Sequence, residues 1–435
     1  MKKTFTKLLL LVLALACTLS LLASCHEPSD KDDVTSSTSA PETSEADTTT
    51  AEPAPTPAEP TDFERYASNT SAPTGHNSAL KSNEPVTETF RATFKVQEHG
   101  AFDYKFFFSN NVNSTYASGE NSYREMPTQP YEIESAFVGT THDQWIMREF
   151  SNKTALSFDG EKSRSVDAGE TFWSDTVSIN VPEGQYLVFE WTVTYTLIPS
   201  TMISTTMAGM KQSNPSRYQF SPTANIPMPD LVGCDRGAKL RLGFIGDSIT
   251  MGEFSGATTA DKATYEFWAA QIADGLGVDA SVWNLGLGYA RGDDAANSPS
   301  WLYKAKQCDV VGICFGVNDI NSGAYGTTEP ATKDEILADV SKIASELKEA
   351  GVEVIIFSTP PYTFGNDAKF EIWRESCAAL KTLAEENGYA FFDMASYLGK
   401  EDAPHEPAYG GHPNNVGCTK VAEGFLAAEL VKIPE

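Results

Sequence analysis

Leu242-Gly243-Phe244-Ile245-Gly246-Asp247-Ser248-Ile249-Thr250 is the stretch that decides the fold. An apolar run stops at a glycine, and a serine stands two residues further on. The run reads as a buried strand and Gly246 as the sharp turn out of it. Ser248 is then at the carboxyl end of a strand, the edge at which open α/β sheets bind ligands. A serine there can be a nucleophile if a base and an oxyanion hole lie close. Without them it is the N-cap of a helix after a βα turn.

Downstream of this stretch the pattern alternates strand and helix to the end of the chain. Strand one is about residues 239–245, and a helix over about 265–276 follows. Strand two is Ser281–Leu285 and strand three Val310–Phe315. Thr332 and Glu335 form a capping box, with Ile336, Val340, Ile343 and Leu347 on one helical face and Gly351 as the stop. Strand four is Val352–Phe357. A helix with Phe370, Trp373, Cys377 and Leu380 on one face ends before Gly388. Strand five is Tyr389–Phe392, and a last helix carries Val421, Phe425 and Ala428. Five short apolar strands alternating with helices predict a parallel sheet covered on both faces, an α/β domain over residues 239–435.

Upstream the period is two. Phe90, Ala92, Phe94 and Val96 alternate with polar residues, as do Val177, Ile179 and Val181 and the long run Leu187, Phe189, Trp191, Val193, Tyr195 and Leu197. Turn signals at Asp159-Gly160, Ala168-Gly169 and Pro182-Glu183-Gly184 separate them. The pattern predicts an antiparallel β-sandwich over residues 86–200. Residues 201–238, rich in Met, Pro and Ser, read as a connecting segment. Trp145, Trp173 and Tyr104 are candidates for stacking on sugar rings, although such aromatics more often belong to a core.

Residues 1–24 read as a targeting segment, with Lys2, Lys3 and Lys7 ahead of an apolar stretch too short to span a bilayer. Residues 25–85 read as an acidic tether rich in Ser, Thr and Pro. Up to Asp62 it lacks aromatic residues after Cys25 and cannot bury a core. The 435 residues carry 59 acidic against 32 basic side chains, a net charge of −27. That balance argues against nucleic acid and anionic membrane surfaces as partners. Five scattered cysteines, Cys234, Cys308, Cys314, Cys377 and Cys418, make no disulfide framework, and no Cys/His spacing suggests a metal.

An acyl-transfer serine needs a base and oxyanion donors. If the sheet order is 2-1-3-4-5, strands two and three flank strand one. Gly286 and Asn318, at their carboxyl ends, would sit on either side of Ser248. Gly286 offers an unshielded N–H and Asn318 an amide NH2. His412, followed by Pro413 at the entry of the last helix, is the candidate base; His405 lacks a comparable setting.

These blocks, Gly246-Asp247-Ser248, Gly286, Gly316-x-Asn318-Asp319 and His412-Pro413, resemble those of the SGNH/GDSL hydrolases in order and spacing. The resemblance implies a flavodoxin-like three-layer sheet, no cofactor, and ester hydrolysis through an acyl-enzyme. Ser248 would be the nucleophile and His412 the base. The oxyanion hole would be the N–H groups of Ser248 and Gly286 with the Asn318 side chain. One position departs: Tyr409 stands where the family usually has Asp. A neighbouring carboxylate (Glu406 or Asp402), a backbone carbonyl, or the Tyr409 hydroxyl would then orient His412. The stretches Leu156–Ser163 and Ser174–Gly184 resemble the β-sandwich that precedes many bacterial GDSL-type hydrolases. Leu22-Ala23-Ser24-Cys25 resembles the bacterial lipoprotein signal, which implies cleavage before Cys25 and lipid on its thiol.

The expectation is a serine esterase anchored by lipid to the outer face of a bacterial membrane, acting on acylated small molecules or polysaccharides. Carbohydrate O-deacetylation is the first substrate expectation. A lipase or lysophospholipase is the second, and an inactive glycan-binding lipoprotein the third.

Overall fold

The computed structural model describes residues 60–114, 125–146, 148–202, 207–214, 219–253, 265–321, 329–398, 408–409 and 411–435. The expected signal, the Cys25 lipidation site, nearly all of the tether, His405, Glu406 and Asp402 lie outside these residues. Among the described residues no helix is long and apolar enough to cross a membrane.

The first part of the described chain forms two antiparallel sheets. Its principal strands are β1 (Ala67–Ser68), β2 (Ser78–Phe94), β3 (Gly100–Ser109), β4 (Tyr131–Thr141), β5 (Val177–Val181), β6 (Tyr186–Met202), β7 (Ala208–Gln212) and β8 (Leu231–Cys234). One sheet contains the path β1-β8-β3-β5, and the other contains β7-β2-β6-β4. The alternating apolar residues supply the facing sides. Phe106 and Phe108 of β3 meet Phe189 and Trp191 of β6, with ring centroids of Phe106–Phe189 and Phe108–Trp191 each 5.5 Å apart.

These sheets extend beyond residues 86–200 at both ends. Phe63 is buried against Phe107 and Trp173, at centroid distances of 4.9 and 4.8 Å, so ordered packing begins well before residue 86. Residues 68–78 gave no apolar period because they bury polar side chains, Asn69, Thr70, Thr74, His76 and Asn77 among them. Pro85 hid the length of β2. It sits where the ladder breaks, between the pairs Val86–Tyr195 and Lys81–Leu197, a place where its missing N–H costs little. The segment 201–238 is no mere connection: β7 pairs with β2, and β8 pairs with β3 and β1. Tyr104 is fully buried and accepts a hydrogen bond from the Asn69 amide at 2.8 Å, and Trp173 is packed against Phe63 and Phe107. Neither is an exposed platform for a sugar.

The second part is a five-stranded parallel sheet. Its strands are β9 (Leu240–Gly246), β10 (Ala280–Gly286), β11 (Val310–Cys314), β12 (Glu353–Phe357) and β13 (Ala390–Phe392), in the order β10-β9-β11-β12-β13. In chain order this is the 2-1-3-4-5 arrangement. Its helices include α1 (Ser248–Met251), α2 (Trp268–Leu276), α3 (Lys333–Glu349), α4 (Asp367–Asn387) and α5 (Asn415–Ala427), with further short helices between. Successive residues of each strand point to opposite faces. Phe244, Phe357 and Phe392 join Trp268 of α2 and Phe425 of α5 in one layer. Ile245, Ile313 and Ile356 join Ile343 and Leu347 of α3 and Leu380 of α4 in the other.

β10 is an edge strand of this sheet, and the first part of the chain covers it. The Gln97 side chain bonds both the N–H and the carbonyl of Val282, at 3.0 and 2.6 Å, as a neighbouring strand would. Arg236 donates to the carbonyl of Ala280, and Ser281 donates to that of Ser68. Edge strands left open invite pairing with other chains, and here the edge is closed from within.

Candidate active site

The site begins at Gly246, the last residue of β9. A Cβ there would overlap the Thr250 side chain and the Cys314 carbonyl, so only glycine lets α1 fold back over the strand end. Asp247 is the N-cap of α1, its carboxylate accepting the Ile249 N–H at 2.8 Å. Ser248 is the first helical residue. The short helix is pinned from two sides, by Trp268 donating to Ile249 O at 2.9 Å and Asn284 donating to Thr250 O at 3.0 Å. Gly252 closes it at φ 97°.

His412 lies 164 residues further on. Its Nε2 is 2.8 Å from Ser248 Oγ. A two-stranded ladder pairs Tyr409 with His412 and Ala408 with Pro413, and Asn414 caps α5 directly afterwards. Gly411, at φ 94°, turns the chain where a Cβ would overlap the Tyr362 ring. That ring stands edge-on to the imidazole, at 5.9 Å and 86°. Burial pushes the His412 imidazole down to about 4, so it is neutral at neutral pH and able to accept a proton. The ladder places the Tyr409 backbone opposite His412.

Asn318 is in the first turn of Val317–Asn321, just beyond β11, and is buried. One hydrogen of its amide goes to the carbonyl of Ala290 at 2.9 Å. Gly316 enters this turn at φ 119° against Thr359. Asp319 ties the loops after β10 and β11 together by accepting the N–H of Gly292 at 2.9 Å and that of Gly316 at 3.1 Å. Burial raises Asp319 to about 6 and Asp247 to about 7, and the like charge of the Asp319 carboxylate raises Asp247 further.

Gly286 is placed differently from the expectation. It ends β10 opposite Gly246, but its N–H is given to Asn284 Oδ1 at 3.0 Å. A Cβ on Gly286 would overlap the backbone of Thr250 and Met251. Its role is close packing under α1, and its N–H is already engaged. The structure therefore brings Ser248 and His412 together and sets Asn318 on the adjoining loop, while it moves Gly286 out of the donor set. Asn284 and Tyr362 escaped the sequence reading, and Asp319 stood in it only as part of a motif, with no role. Asn284 could have been noticed, two residues before a glycine at a strand end; Tyr362 carries no local signal. Among the described residues no group of three or more His, Cys, Asp or Glu side chains is placed to hold a metal ion.

Comparison with known proteins adds a family. Residues 244–419, less than half of the chain, match the GDSL-like lipase/acylhydrolase family. Solved structures also match less than half of the chain. One is a catalytic mutant of Axe2, an acetylxylan esterase from Geobacillus stearothermophilus, at 24% identity over 45% of this chain and 98% of that one, TM-score 0.37. Another is LAE5, an alpha/beta hydrolase from the metagenome of Lake Arreo, Spain, at 19% identity over 45% and 98%, TM-score 0.37. A third is a member of the lipolytic G-D-S-L family from Veillonella parvula, at 20% identity over 43% and 97%, TM-score 0.35. No curated protein matches the chain. Over residues 244–419 this chain is therefore similar to the GDSL-like lipase/acylhydrolase family.

Proposed function

We propose that this chain is a serine ester hydrolase in which Ser248 is the nucleophile and His412 its base. The observation that carries the reading is the 2.8 Å contact between Ser248 Oγ and His412 Nε2 at the carboxyl edge of the parallel sheet. The Ser248 proton passes to Nε2 as Oγ attacks the ester carbonyl carbon. The carbonyl oxygen becomes an oxyanion. The Ser248 N–H, at a helix start where N–H groups have no intrahelical partner, and the Asn318 amide stabilise it. Collapse expels the alcohol, which takes the proton from Nε2, and leaves an acyl-serine. A water then repeats the sequence with His412 as base and releases the acid.

As substrate we propose acetyl esters of carbohydrates, met at the outer face of the membrane to which lipid on Cys25 holds the protein. The Leu22–Cys25 box and the acidic tether support the location. Cys25→Ala should move the protein from the membrane fraction to the medium. Retention in the membrane fraction would end the anchor reading.

A fluorophosphonate should label Ser248 in the native protein and fail to label Ser248→Ala. Absence of labelling in the folded native chain would reject catalysis and leave a binding protein. Release of acid from acetylated xylan, acetylated pectin, short nitrophenyl esters and lysophospholipid then ranks the substrates. Preference for lysophospholipid would replace the carbohydrate reading with a lipolytic one.

A further inference from the structure

The loop after β10 turns at Tyr289, whose φ of 66° lies in the left-handed region that non-glycine residues seldom occupy. Such a conformation persists only where surrounding structure holds it. Here the carbonyls on both sides of Tyr289 are each held by a side-chain amide. On one side Asn318 Nδ2 donates to Ala290 O at 2.9 Å. On the other, Asn77 Nδ2 donates to Gly288 O at 3.3 Å.

Asn77 comes from the antiparallel part of the chain, 211 residues away, and is 1% exposed. Its other end is fixed as well, since Oδ1 accepts the N–H of Met202 at 2.9 Å. Gly288 is packed so closely that a Cβ there would lie 2.9 Å from Asn77 Nδ2 and within 3.7 Å of Met202 and Met251. Other side-chain ties to β10, involving Gln97, Arg236, Ser68, Thr74 and Asp230, engage Ala280, Ser281, Val282 and Trp283, before its carboxyl end. Asn77 reaches past that end, to the loop that carries the Asn318 acceptor.

We infer that Asn77 is a positioning residue for the reaction: it fixes the loop Gly288–Ala290 and thereby the Asn318 amide that faces the oxyanion. A single residue ahead of the antiparallel strand β2 then helps to set the geometry of the site. The inference rests on the proposed serine mechanism.

The test uses the full-length protein. Asn77→Asp keeps the acceptor for Met202 N–H but loses the donor to Gly288 O. It should lower kcat on a nitrophenyl acetate by roughly ten- to a hundredfold, the scale of a small misplacement of a catalytic group, with KM changed less than about threefold. Asn77→Ala should do the same if it folds. Because Asn77 acts through Asn318, the double variant Asn77→Asp/Asn318→Ala should be no slower than Asn318→Ala alone, within about threefold. Gln97→Ala, which cuts a tie remote from the site, should lower the melting temperature and leave kcat unchanged. An unchanged kcat in Asn77→Asp, or losses that multiply in the double variant, would overturn the positioning role. Failure of the native protein to turn over any ester would instead overturn the serine mechanism, so the two failures are distinct.

Discussion

Asn284 joins two elements at once: its Oδ1 accepts the Gly286 N–H at 3.0 Å, and its Nδ2 donates to Thr250 O at 3.0 Å. The side chain is fully buried and holds the turn after the nucleophile against the end of the neighbouring strand. Asn284→Ala strands a buried N–H and a buried carbonyl, each costing about 1–3 kcal/mol. The melting temperature should fall and Ser248 labelling should slow. Asn284→Asp restores the acceptor without the donor and should fall between. If Gly286 N–H were instead an oxyanion donor, Asn284→Ala would release it and raise kcat, an outcome that steady-state kinetics would show at once.

Asn318 donates to Ala290 O and is the proposed side-chain donor to the oxyanion. Loss of one oxyanion donor elsewhere costs about 10²–10³ in kcat. Asn318→Ala should show that loss with KM nearly unchanged. A rise in KM with kcat preserved would assign Asn318 to substrate binding.

Protonation of His412 blocks the base. Burial holds this imidazole at about 4, against 6.5 for the unburied group, so the acid limb of kcat/KM should centre near 4 and not near 6.5. A limb centred near 6.5 would mean that burial does not set the base. Stability is a mixed reporter. The folded pKa of His412 is lowered, so its contribution is present above about 6.5 and is lost as pH falls through about 4. Asp247 and Asp319 are raised from 3.8 to about 7 and about 6, so theirs is present below 3.8 and lost as pH rises through those values. The activity profile is therefore the measurement to make.

The parallel sheet was legible because its strands are buried on both faces and read as unbroken apolar runs, Val310–Cys314 and Val354–Phe357 being the plainest. The cap at Thr332 was equally plain, and the bond between its side chain and the Glu335 N–H bears it out. The ends of the antiparallel part were not legible, since Asn69, Thr74, His76 and Asn77 are buried by hydrogen bonding and leave no hydrophobic period. The site was half legible. Ser248, Asn318 and His412 lie in short motifs at strand ends. The engagement of Gly286 by Asn284 depends on side-chain direction, and the reach of Asn77 to Gly288 on the packing of two parts of the chain. Neither has a signature along the sequence.

The last prediction concerns what orients His412. In a serine triad the acid fixes the imidazole tautomer and stabilises the imidazolium. Tyr409 cannot do so as an anion near neutral pH, because phenols titrate near ~10. Glu406 and Asp402 are close in sequence but lie outside the described residues. We propose that packing orients the ring instead. Tyr362 stands edge-on to the imidazole at 5.9 Å, and the ladder opposite Tyr409 fixes the backbone on which the ring sits. A Ser–His dyad held by packing therefore predicts that Glu406→Gln, Asp402→Asn and Tyr409→Phe each leave kcat within about tenfold, whereas loss of a true triad acid costs ~10⁴ in a well-studied protease. Tyr362→Ala, which removes the wall beside the ring, should cost more than any of them, and Tyr362→Phe should restore most of the loss. A fall of roughly a thousandfold in one of the carboxylate or Tyr409 variants, with the melting temperature unchanged, would reject the dyad and name the acid.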